Sequence, residues 1–429
     1  MPEKRNIVLI TFDSLRADHC GFMGYTRKTT PTLDKMAKDG LYFENAIASG
    51  VPTPVSMVGV FTGDYSYNDP ACVKPEPWRK ELASRKTLAQ VLTNKGYFTG
   101  AFHENVRVSS HFGFNKGFKY YNDSPTSIGV KAKIHDKLLV PLFEKMGFST
   151  EIPDMLMRVG TCAPWEAFYE HIINWIKKAK EPFFLWVLLL DTHTPYIPPR
   201  RFRKYSNLCQ VYYYSWKVGK ICRTKRTDEG EKYRKIINVY DDAIRYADHF
   251  VGKLWGDIKD YDPIVIIHSD HGDGFYEHGF YQHSGINGLY EELIHVPLII
   301  YNADVKGKIE KPISLLGLSP AILELIGEEN KFPSKSFLNG GTDWCISKIF
   351  VRGKRIIAVR MKDWKFITGQ KEEDELYNLK EDPYERKNVI TEHPKLADEM
   401  RKIVKSHIRQ EKERRRIGEI TSKLLEMRI

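Results

Sequence analysis

The sequence has few cysteines and no long apolar run, and each of these features excludes some classes of protein. Its six cysteines are scattered without a CxxC pair, which argues against a zinc knuckle or a disulfide framework and favours free, buried thiols. No stretch approaches the roughly 20 apolar residues that span a bilayer. The apolar run near the N-terminus is too short for a signal peptide and lacks a small-residue cleavage site, so we expect a cytoplasmic protein.

The chain is basic, with 66 Lys and Arg residues against 55 Asp and Glu residues and a formal net charge of +11. The basic residues cluster at 200–235 and 401–416, outside any RRM, KH or helix-turn-helix pattern, so we expect no specific nucleic-acid partner. A solvated basic face is the simpler interpretation. The alternative is electrostatic attraction of an anionic substrate or of an anionic lipid surface.

Apolar strands alternate with helical stretches through the first three quarters of the chain. This alternation predicts an α/β fold with a mainly parallel sheet covered by helices on both faces. At 429 residues, of which 42% are hydrophobic, the chain can build one large domain and a smaller one. Residues 124–160 and 200–235 match no regular element and are predicted to be insertions that shape a pocket. Helices are predicted to begin near Pro31, Thr87, Pro164 and Asp241.

The pattern changes in the last quarter of the chain. Arg355–Arg360 and Trp364–Thr368 have the character of paired strands, and a long charged helix is predicted from about Pro394. Gly418 is expected to interrupt that helix. These elements predict a small α+β subdomain. The predicted domains are residues 1–330 and 331–429.

Two predicted strands deliver carboxylates. Ile7–Phe12 is followed by Asp13, and the apolar run from Ile264 leads into Asp270 and His271. Because ligands of open α/β sheets bind at the carboxyl ends of the strands, we expect these side chains to meet there. Two carboxylates and an imidazole suit a divalent cation. The alternative is that Asp-His-Gly is merely a turn that ends a strand.

Four segments, in order along the chain, carry motifs of one known family. They are NIVLITFDSLRAD (6–18), FENAIASGVPTPVSMVGVFTG (43–63), FLWVLLLDTHTPYIPP (184–199) and the stretch 264–299, with SDHGDGFYEHG and LYEELIHVPLI. Together they resemble the sulfatase family of the alkaline phosphatase superfamily. The resemblance implies an alkaline-phosphatase-like fold, in which helices sandwich a mainly parallel sheet and a small C-terminal subdomain holds an antiparallel sheet.

The resemblance places the family's nucleophile at Thr53, at the expected start of a helix. A hydroxyl there can bind the metal and lose its proton more easily, and the helix dipole favours an incoming anion. The alternative is that Thr53 is only a helix N-cap, a position for which threonine is suited. Ser56 is the other hydroxyl nearby, and the family pattern more often gives it a supporting place in the loop.

Three residues depart from the family pattern. Typical sulfatases carry Cys or Ser at the nucleophile position and oxidise it to formylglycine, an aldehyde that Thr53 cannot form because its β-carbon carries a methyl group. Met57 replaces the family's basic residue, and Ser14 stands where many sulfatases have a second metal aspartate. Threonine nucleophiles occur in superfamily branches that cleave phosphodiesters, phosphonates or phosphoglycerol groups. The threonine therefore favours phosphorus esters, whereas the overall motifs favour sulfate esters.

The resemblance also implies two histidines that contact the substrate. His193, in the loop after the strand Phe183–Leu190, matches the histidine that contacts the anion or protonates the leaving group. His283 lies where the family commonly places Lys or His to bind the anion. The alternative for each is a structural or solvated loop histidine. Asp191 is a candidate acceptor that orients an imidazole, and His103 is a weaker candidate for the pocket.

The sequence thus predicts a single divalent metal site. Ca²⁺ or Mn²⁺ suits it best, with Mg²⁺ or Zn²⁺ as alternatives, and Asp191 with His193 keeps a second metal open. The predicted activity is sulfatase-like hydrolysis of an anionic small-molecule, glycan or lipid ester, either a sulfuric ester or a phosphodiester or phosphonate monoester. The alternative is a catalytically silent binding protein that uses its basic surface. The predicted ligands are Asp13, Asp270, His271 and Thr53.

Overall fold

The computed structural model describes residues 4–123, 164–221, 230–283 and 288–426. The predicted insertion at 124–160 lies outside these residues. Strands are β1 (Ile7–Phe12), β2 (Leu41–Phe43), β3 (Ala46–Ile47), β4 (Phe98–Phe102), β5 (Tyr120–Asn122), β6 (Phe183–Leu189), β7 (Ile264–Ser269), β8 (His295–Val296), β9 (Leu298–Tyr301), β10 (Gly307–Ile309), β11 (Ile313–Ser314), β12 (Trp344–Val351), β13 (Lys354–Met361), β14 (Trp364–Thr368) and β15 (Glu375–Asn378).

The α-helices include all four predicted from the sequence; those expected near Pro31, Thr87 and Pro164 begin within two residues of those positions, whereas the one expected near Asp241 already begins at Gly230. They are α1 (Pro31–Asp39), α2 (Thr53–Thr62), α3 (Pro75–Ala83), α4 (Leu88–Asn94), α5 (Glu166–Lys178), α6 (Leu208–Ile221), α7 (Gly230–Ile258), α8 (Glu291–Ile294), α9 (Leu318–Leu325) and α10 (Pro394–Glu426). None of the helices in the described ranges is both long and apolar enough to cross a membrane.

The central sheet contains eight strands within the described residues, in the order β10-β2-β9-β7-β1-β6-β4-β5. Strand β9 runs antiparallel to both of its neighbours, and the other adjacent strands pair in parallel. The prediction of a mainly parallel sheet is therefore confirmed.

Strand β1 pairs with β7 on one side and with β6 on the other, and all six of its residues are buried. Ile7 and Leu9 belong to the apolar core on one face of the sheet, whereas Val8, Ile10 and Phe12 belong to the core on the other face. This alternation follows from the two-residue period of a strand, and burial on both faces explains the continuous apolar run.

The C-terminal part forms a separate four-stranded antiparallel sheet, β12-β13-β14-β15. Helix α10 packs Ala397, Met400 and Val404 into the core of this sheet. The helix continues through Gly418, so the predicted interruption is wrong. A glycine inside a helix costs only about 1 kcal/mol, which its neighbours can offset. The domain boundary near residue 330 stays a prediction.

The region 200–235 is a second correction, because it contains helix α6 and the beginning of α7 rather than irregular chain. The sequence pattern does not predict helix α6, because three adjacent tyrosines in LCQVYYYSWKVGKI obscure the helical period. Residues 222–229 of this region lie outside the described part of the chain.

Candidate active site

Asp13 and Asp270 meet at the carboxyl edge of the sheet. The register pairs Phe12 of β1 with Ser269 of β7, so the next residue of each strand is an aspartate. Both carboxylates are fully buried. The N–H of Asp270 donates to the carbonyl of Phe12, and the N–H of Ser14 donates to Oδ1 of Asp270, which ties the two strand ends together. The sequence prediction of a shared strand-end site agrees with this geometry.

The turn after β7 requires glycine at position 272. A Cβ there would collide with the backbone carbonyl of Glu292. The close approach lets the N–H of Gly272 donate to the carbonyl of Leu293. The Asp-His-Gly turn is thus held against the following chain, and it places Asp270 and His271 at fixed positions.

Thr53 is the first residue of helix α2 and is 3% exposed. Its Oγ1 lies 3.3 Å from Oδ2 of Asp13 and 3.2 Å from Nε2 of His271. The interpretation of Thr53 as the N-cap is wrong, because Pro52 occupies that position. The hydroxyl faces the carboxylates at the sheet edge. The nearby Ser56 hydroxyl donates instead to the backbone carbonyl of Asp270, at 2.7 Å, which is a supporting contact.

His271 presents an unprotonated nitrogen to this cluster. Its Nδ1 lies 2.8 Å from the carbonyl of Gly272 and acts as the donor, so Nε2 is left as the acceptor. Burial, and then the charge of His283, lower the pKa of His271 to about 3. A neutral imidazole is the form that binds a metal ion. Nε2 also lies 3.4 Å from Oδ2 of Asp270 and 3.9 Å from Oδ1 of Asp13.

The two carboxylates oppose each other electrostatically. Burial raises the pKa of Asp270 well above its ordinary value, and the negative charge of Asp13 raises it further. Burial also acts to raise the pKa of Asp13, but the surrounding histidines, led by His193, lower it below its ordinary value. The amide of Asn105 donates to Oδ2 of Asp13 at 2.7 Å. A cation between the carboxylates would relieve their repulsion.

These residues fit a divalent metal ion. Among the described residues, no hydrogen-bond partner is found for the buried Oδ2 of Asp270, as expected of an oxygen reserved for a cation. Ligand atoms of Asp13, His271 and His283 lie within 4.8 Å of one another. The predicted donor set combines carboxylate oxygens, the neutral imidazole nitrogen of His271 and the hydroxyl of Thr53, which suits a hard or borderline divalent ion.

His283 is fixed by a chain of hydrogen bonds that the sequence did not indicate. Its Nδ1 donates to Oδ1 of Asp273 at 2.9 Å, and the hydroxyl of Tyr196 donates to Oδ2 of the same carboxylate at 2.6 Å. Burial lowers the pKa of the His283 imidazole, but Asp273 outweighs this and raises it above its ordinary value. The ring lies 5.0 Å from that of His193, so the two histidines form one basic wall of the site.

Several other residues near the site make structural contacts rather than joining the carboxylate cluster. Nε2 of His103 lies 3.0 Å from the hydroxyl of Tyr121, outside the carboxylate cluster. Asp191 interacts with the backbone of Trp165, and no described contact joins it to an imidazole. His278 contacts Glu292 through Nδ1 at 2.6 Å, and Glu277 pairs with Arg16, so both residues make structural contacts.

The architecture and the strand-end site together match a known family. The family model described as Sulfatase matches residues 5–328. The chain belongs to the sulfatase family. It is 24% identical to an arylsulfatase of Clostridium perfringens over 94% of each chain, and 23% identical to an N-acetylgalactosamine-6-O-sulfatase of Bacteroides thetaiotaomicron over 94% of this chain and 93% of that protein. The structure is similar to that of a phosphonate monoester hydrolase of Agrobacterium radiobacter, with a TM-score of 0.71 and 18% identity over 95% of this chain and 96% of that one.

Membership in the sulfatase family confirms the predicted sulfatase-like ester hydrolase of the alkaline phosphatase superfamily. Members of the family hydrolyse sulfate esters and use a divalent metal ion, and the Asp/His cluster is a position where such an ion fits. The phosphonate monoester hydrolase neighbour shows that the same fold also occurs in an enzyme named for a phosphorus ester.

Sequence reasoning missed Asn105 and Asp273 as members of the site. Asn105 follows β4 and is separated by 92 positions from Asp13, whose carboxylate it contacts. Asp273 lies two positions after His271 in the sequence, yet nothing in the local pattern shows that it contacts His283. The only available signal was the concentration of polar residues directly after the strands of the sheet.

Proposed function

We propose that this protein is a metal-dependent hydrolase of phosphodiesters or phosphonate monoesters in which Thr53 is the nucleophile. The observation that carries the proposal is the position of the Thr53 hydroxyl, within 3.3 Å of both Asp13 and His271 at the start of helix α2. The helix N-terminus favours the anionic substrate at the same point.

A cation would be held by Asp13, Asp270 and His271, with Thr53 as a further ligand. When bound, it supplies Lewis-acid chemistry: it neutralises charge on the substrate and lowers the pKa of a coordinated hydroxyl. Ca²⁺ and Mn²⁺ suit a site rich in oxygen ligands with one imidazole, and Mg²⁺ and Zn²⁺ are the alternatives.

The chain's own groups account for the covalent chemistry. Oγ1 of Thr53 gives its proton to Oδ2 of Asp13 and attacks phosphorus, so an O–P bond forms while the bond to the leaving group breaks. The departing oxygen takes a proton from Nε2 of His193 in its protonated form. The Nδ1 of His193 lies 2.6 Å from the carbonyl of Thr194, which directs the ring. Water then attacks phosphorus and gives a proton to Nε2 of His193, while the O–P bond to Thr53 breaks and Oγ1 takes its proton back from Asp13.

His283 complements the negative charge of the transferring group. Asp273, whose carboxylate also accepts from Tyr196, holds the imidazole through Nδ1 rather than through Nε2. A cationic imidazole placed where charge develops stabilises the transition state. His193 and His283 together would therefore hold the anion while Thr53 attacks.

The threonine favours phosphorus over sulfur because of the second step. The hydrated aldehyde of formylglycine has a second hydroxyl that expels sulfate, and a threonine ester has none. A phospho-threonine is open to direct attack by water. Sulfuric ester hydrolysis is the second candidate function, and the similarity to an arylsulfatase and to an N-acetylgalactosamine-6-O-sulfatase favours it. Both functions leave an anionic small-molecule, glycan or lipid ester as the substrate class.

Hydrolysis of matched chromogenic esters tests the proposal. The purified protein is loaded separately with Ca²⁺, Mn²⁺, Mg²⁺ or Zn²⁺ and assayed on p-nitrophenyl sulfate, p-nitrophenyl phosphate, a p-nitrophenyl phosphonate and bis-p-nitrophenyl phosphate. We expect kcat/KM to be highest for the phosphonate or the diester. A wild-type protein that cleaves the sulfate faster than every phosphorus ester would overturn the proposal.

A further inference from the structure

A cationic surface, which we call the basic face, surrounds the ring of Tyr205. The ring centroid lies 4.8 Å from the guanidinium of Arg27, 5.5 Å from the ammonium of Lys204 and 6.0 Å from the guanidinium of Arg245. The N–H of Lys28 contacts the Tyr205 hydroxyl, which adds a further exposed lysine to the group. The basic face thus joins residues from three separate parts of the chain.

The sequence around the basic face carries charge of one sign. Residues 200–221 contain Arg200, Arg201, Arg203, Lys204, Lys217 and Lys220 and no Asp or Glu. In the described part of the chain, Arg27 pairs with Asp241 and Arg201 pairs with Glu166. No ion pair is found there for Lys28, Lys204 or Arg245, so the face keeps a net positive charge.

An apolar ridge adjoins the basic face. Leu208 and Tyr212 lie one turn apart on helix α6, and each is 51% exposed. The other side of the same helix is anchored by Val211 and Tyr214, which are buried in the core. The helix is therefore fixed to the protein body while it presents an apolar and aromatic edge outward.

We propose that the basic face and the apolar ridge dock this enzyme on an anionic lipid bilayer. Each basic side chain near a surface of anionic lipids strengthens the electrostatic attraction, and an exposed leucine and tyrosine can insert at the headgroup boundary. Tyrosine suits that boundary because it has an apolar ring and a polar tip. A nucleic acid would also be attracted by the positive charge, but its phosphate backbone offers no apolar surface for the exposed Leu208.

A short stretch of chain connects this surface to the enzyme's site. Strand β6 ends at the carboxyl edge of the sheet, the loop carrying His193 follows, and the exposed Arg200 comes seven residues later. Docking through this region would bring an ester on a lipid headgroup towards Thr53. That consequence rests on the proposed function, whereas the docking itself does not.

Co-sedimentation with vesicles tests the proposal without measuring activity. We expect the wild-type protein to sediment with vesicles of phosphatidylcholine and phosphatidylglycerol, to bind pure phosphatidylcholine at least tenfold more weakly, and to lose binding as salt is raised. Arg200→Gln/Lys204→Gln should weaken binding about tenfold, because two cations are removed. Leu208→Gln/Tyr212→Gln should also weaken it, and this loss should persist at low salt.

Two matched variants act as controls. Lys35→Gln/Lys38→Gln removes the same charge from exposed positions on helix α1, and Val73→Gln changes an apolar residue that is 74% exposed elsewhere. Both should bind like the wild type. Equal binding of wild type to neutral and anionic vesicles, an equal loss in the Lys35/Lys38 control, or full retention in Leu208→Gln/Tyr212→Gln would each overturn the proposal. Preferential binding of single-stranded RNA over anionic vesicles would also contradict it.

Discussion

The hydroxyl of Thr53 lies 3.2 Å from Nε2 of His271, so the first residue of a helix and a residue just beyond a central strand meet at one point. A hydroxyl used only as a helix cap would bond to the backbone of its own helix. Here it faces Asp13 and His271, both fully buried, and this arrangement underlies the proposed chemistry.

Replacement of Thr53 should abolish most of the activity. Thr53→Ala removes the attacking oxygen and a metal ligand together, and we expect kcat/KM to fall by about a thousandfold, roughly 4 kcal/mol. Thr53→Ser keeps the hydroxyl and should retain much more activity. The matched control is Ser56→Ala, which should mainly lower stability, by about 1 kcal/mol. If Thr53→Ala turns over at the wild-type rate and Ser56→Ala does not, the nucleophile is Ser56.

Loss of a carboxylate ligand should remove the metal but not the fold. Asp270→Asn keeps the shape of the side chain and loses the charge that holds the cation, so metal content by mass spectrometry should fall while the circular dichroism spectrum is unchanged. Asp13→Asn should behave in the same way. Asp242→Asn is the control, because this buried aspartate accepts backbone N–H groups of Lys204 and Tyr205 outside the site. Full metal content in both site variants would refute the site.

Asn105 is not a predicted metal ligand, but Asn105→Ala should still weaken metal binding. The change removes the amide that donates to Asp13 at 2.7 Å, and an orienting contact of this kind is worth about 10- to 100-fold in metal affinity or activity. Metal affinity measured by competition with a chelator checks this, and Asn105→Gln should not rescue it because the amide is displaced by one methylene. Unaltered affinity in Asn105→Ala would show that this contact does not support the metal site.

Acid should destabilise the protein partly through His103. The hydroxyl of Tyr121 donates to the carbonyl of Val108 at 2.6 Å, so its oxygen accepts from Nε2 of His103. Nδ1 of His103 is then a buried nitrogen without a partner in the described residues. Burial lowers the pKa of this imidazole to about 4.

The sign follows from proton uptake. Below the ordinary histidine pKa, His103 is protonated in the unfolded chain but stays neutral in the native protein. The free energy of unfolding therefore decreases as the pH is lowered from about 6.5 to about 4, by about 3 kcal/mol in total. His103→Gln should flatten the dependence of the free energy of unfolding on pH in this interval, measured by urea titration. The exposed His111→Gln is the control and should leave the slope unchanged. An identical slope in wild type and His103→Gln would contradict the assignment.

Much of the site could be predicted from the sequence because its central residues follow apolar strands directly. The two-residue period of β1 and β7 and the rule that sites lie at carboxyl strand ends placed Asp13, Asp270 and His271 together. The position of Thr53 came from the resemblance to a family, and the structure adds its distance to Asp13. The ligand and catalytic roles of these residues, and the cytoplasmic location, stay predictions.

The parts that could not be predicted depend on contacts between distant residues or on local patterns that conflict with the final structure. Asn105 and Asp273 enter the site through loop conformation, which no periodicity encodes. Helix α6 contains adjacent bulky aromatic residues, and tertiary packing of Val211 and Tyr214 settles its structure. The uninterrupted passage of α10 through Gly418 is likewise a case in which a weak local signal is overridden.

The most direct measurement of the central claim is mass spectrometry of the protein quenched in acid during turnover of an aryl phosphonate. We expect a phosphonyl group on the peptide that contains Thr53, with fragment ions that place it on that residue, and no such group in Thr53→Ala. A phosphonyl group on Ser56, or turnover in Thr53→Ala at the wild-type rate, would contradict the assignment of Thr53 as the nucleophile.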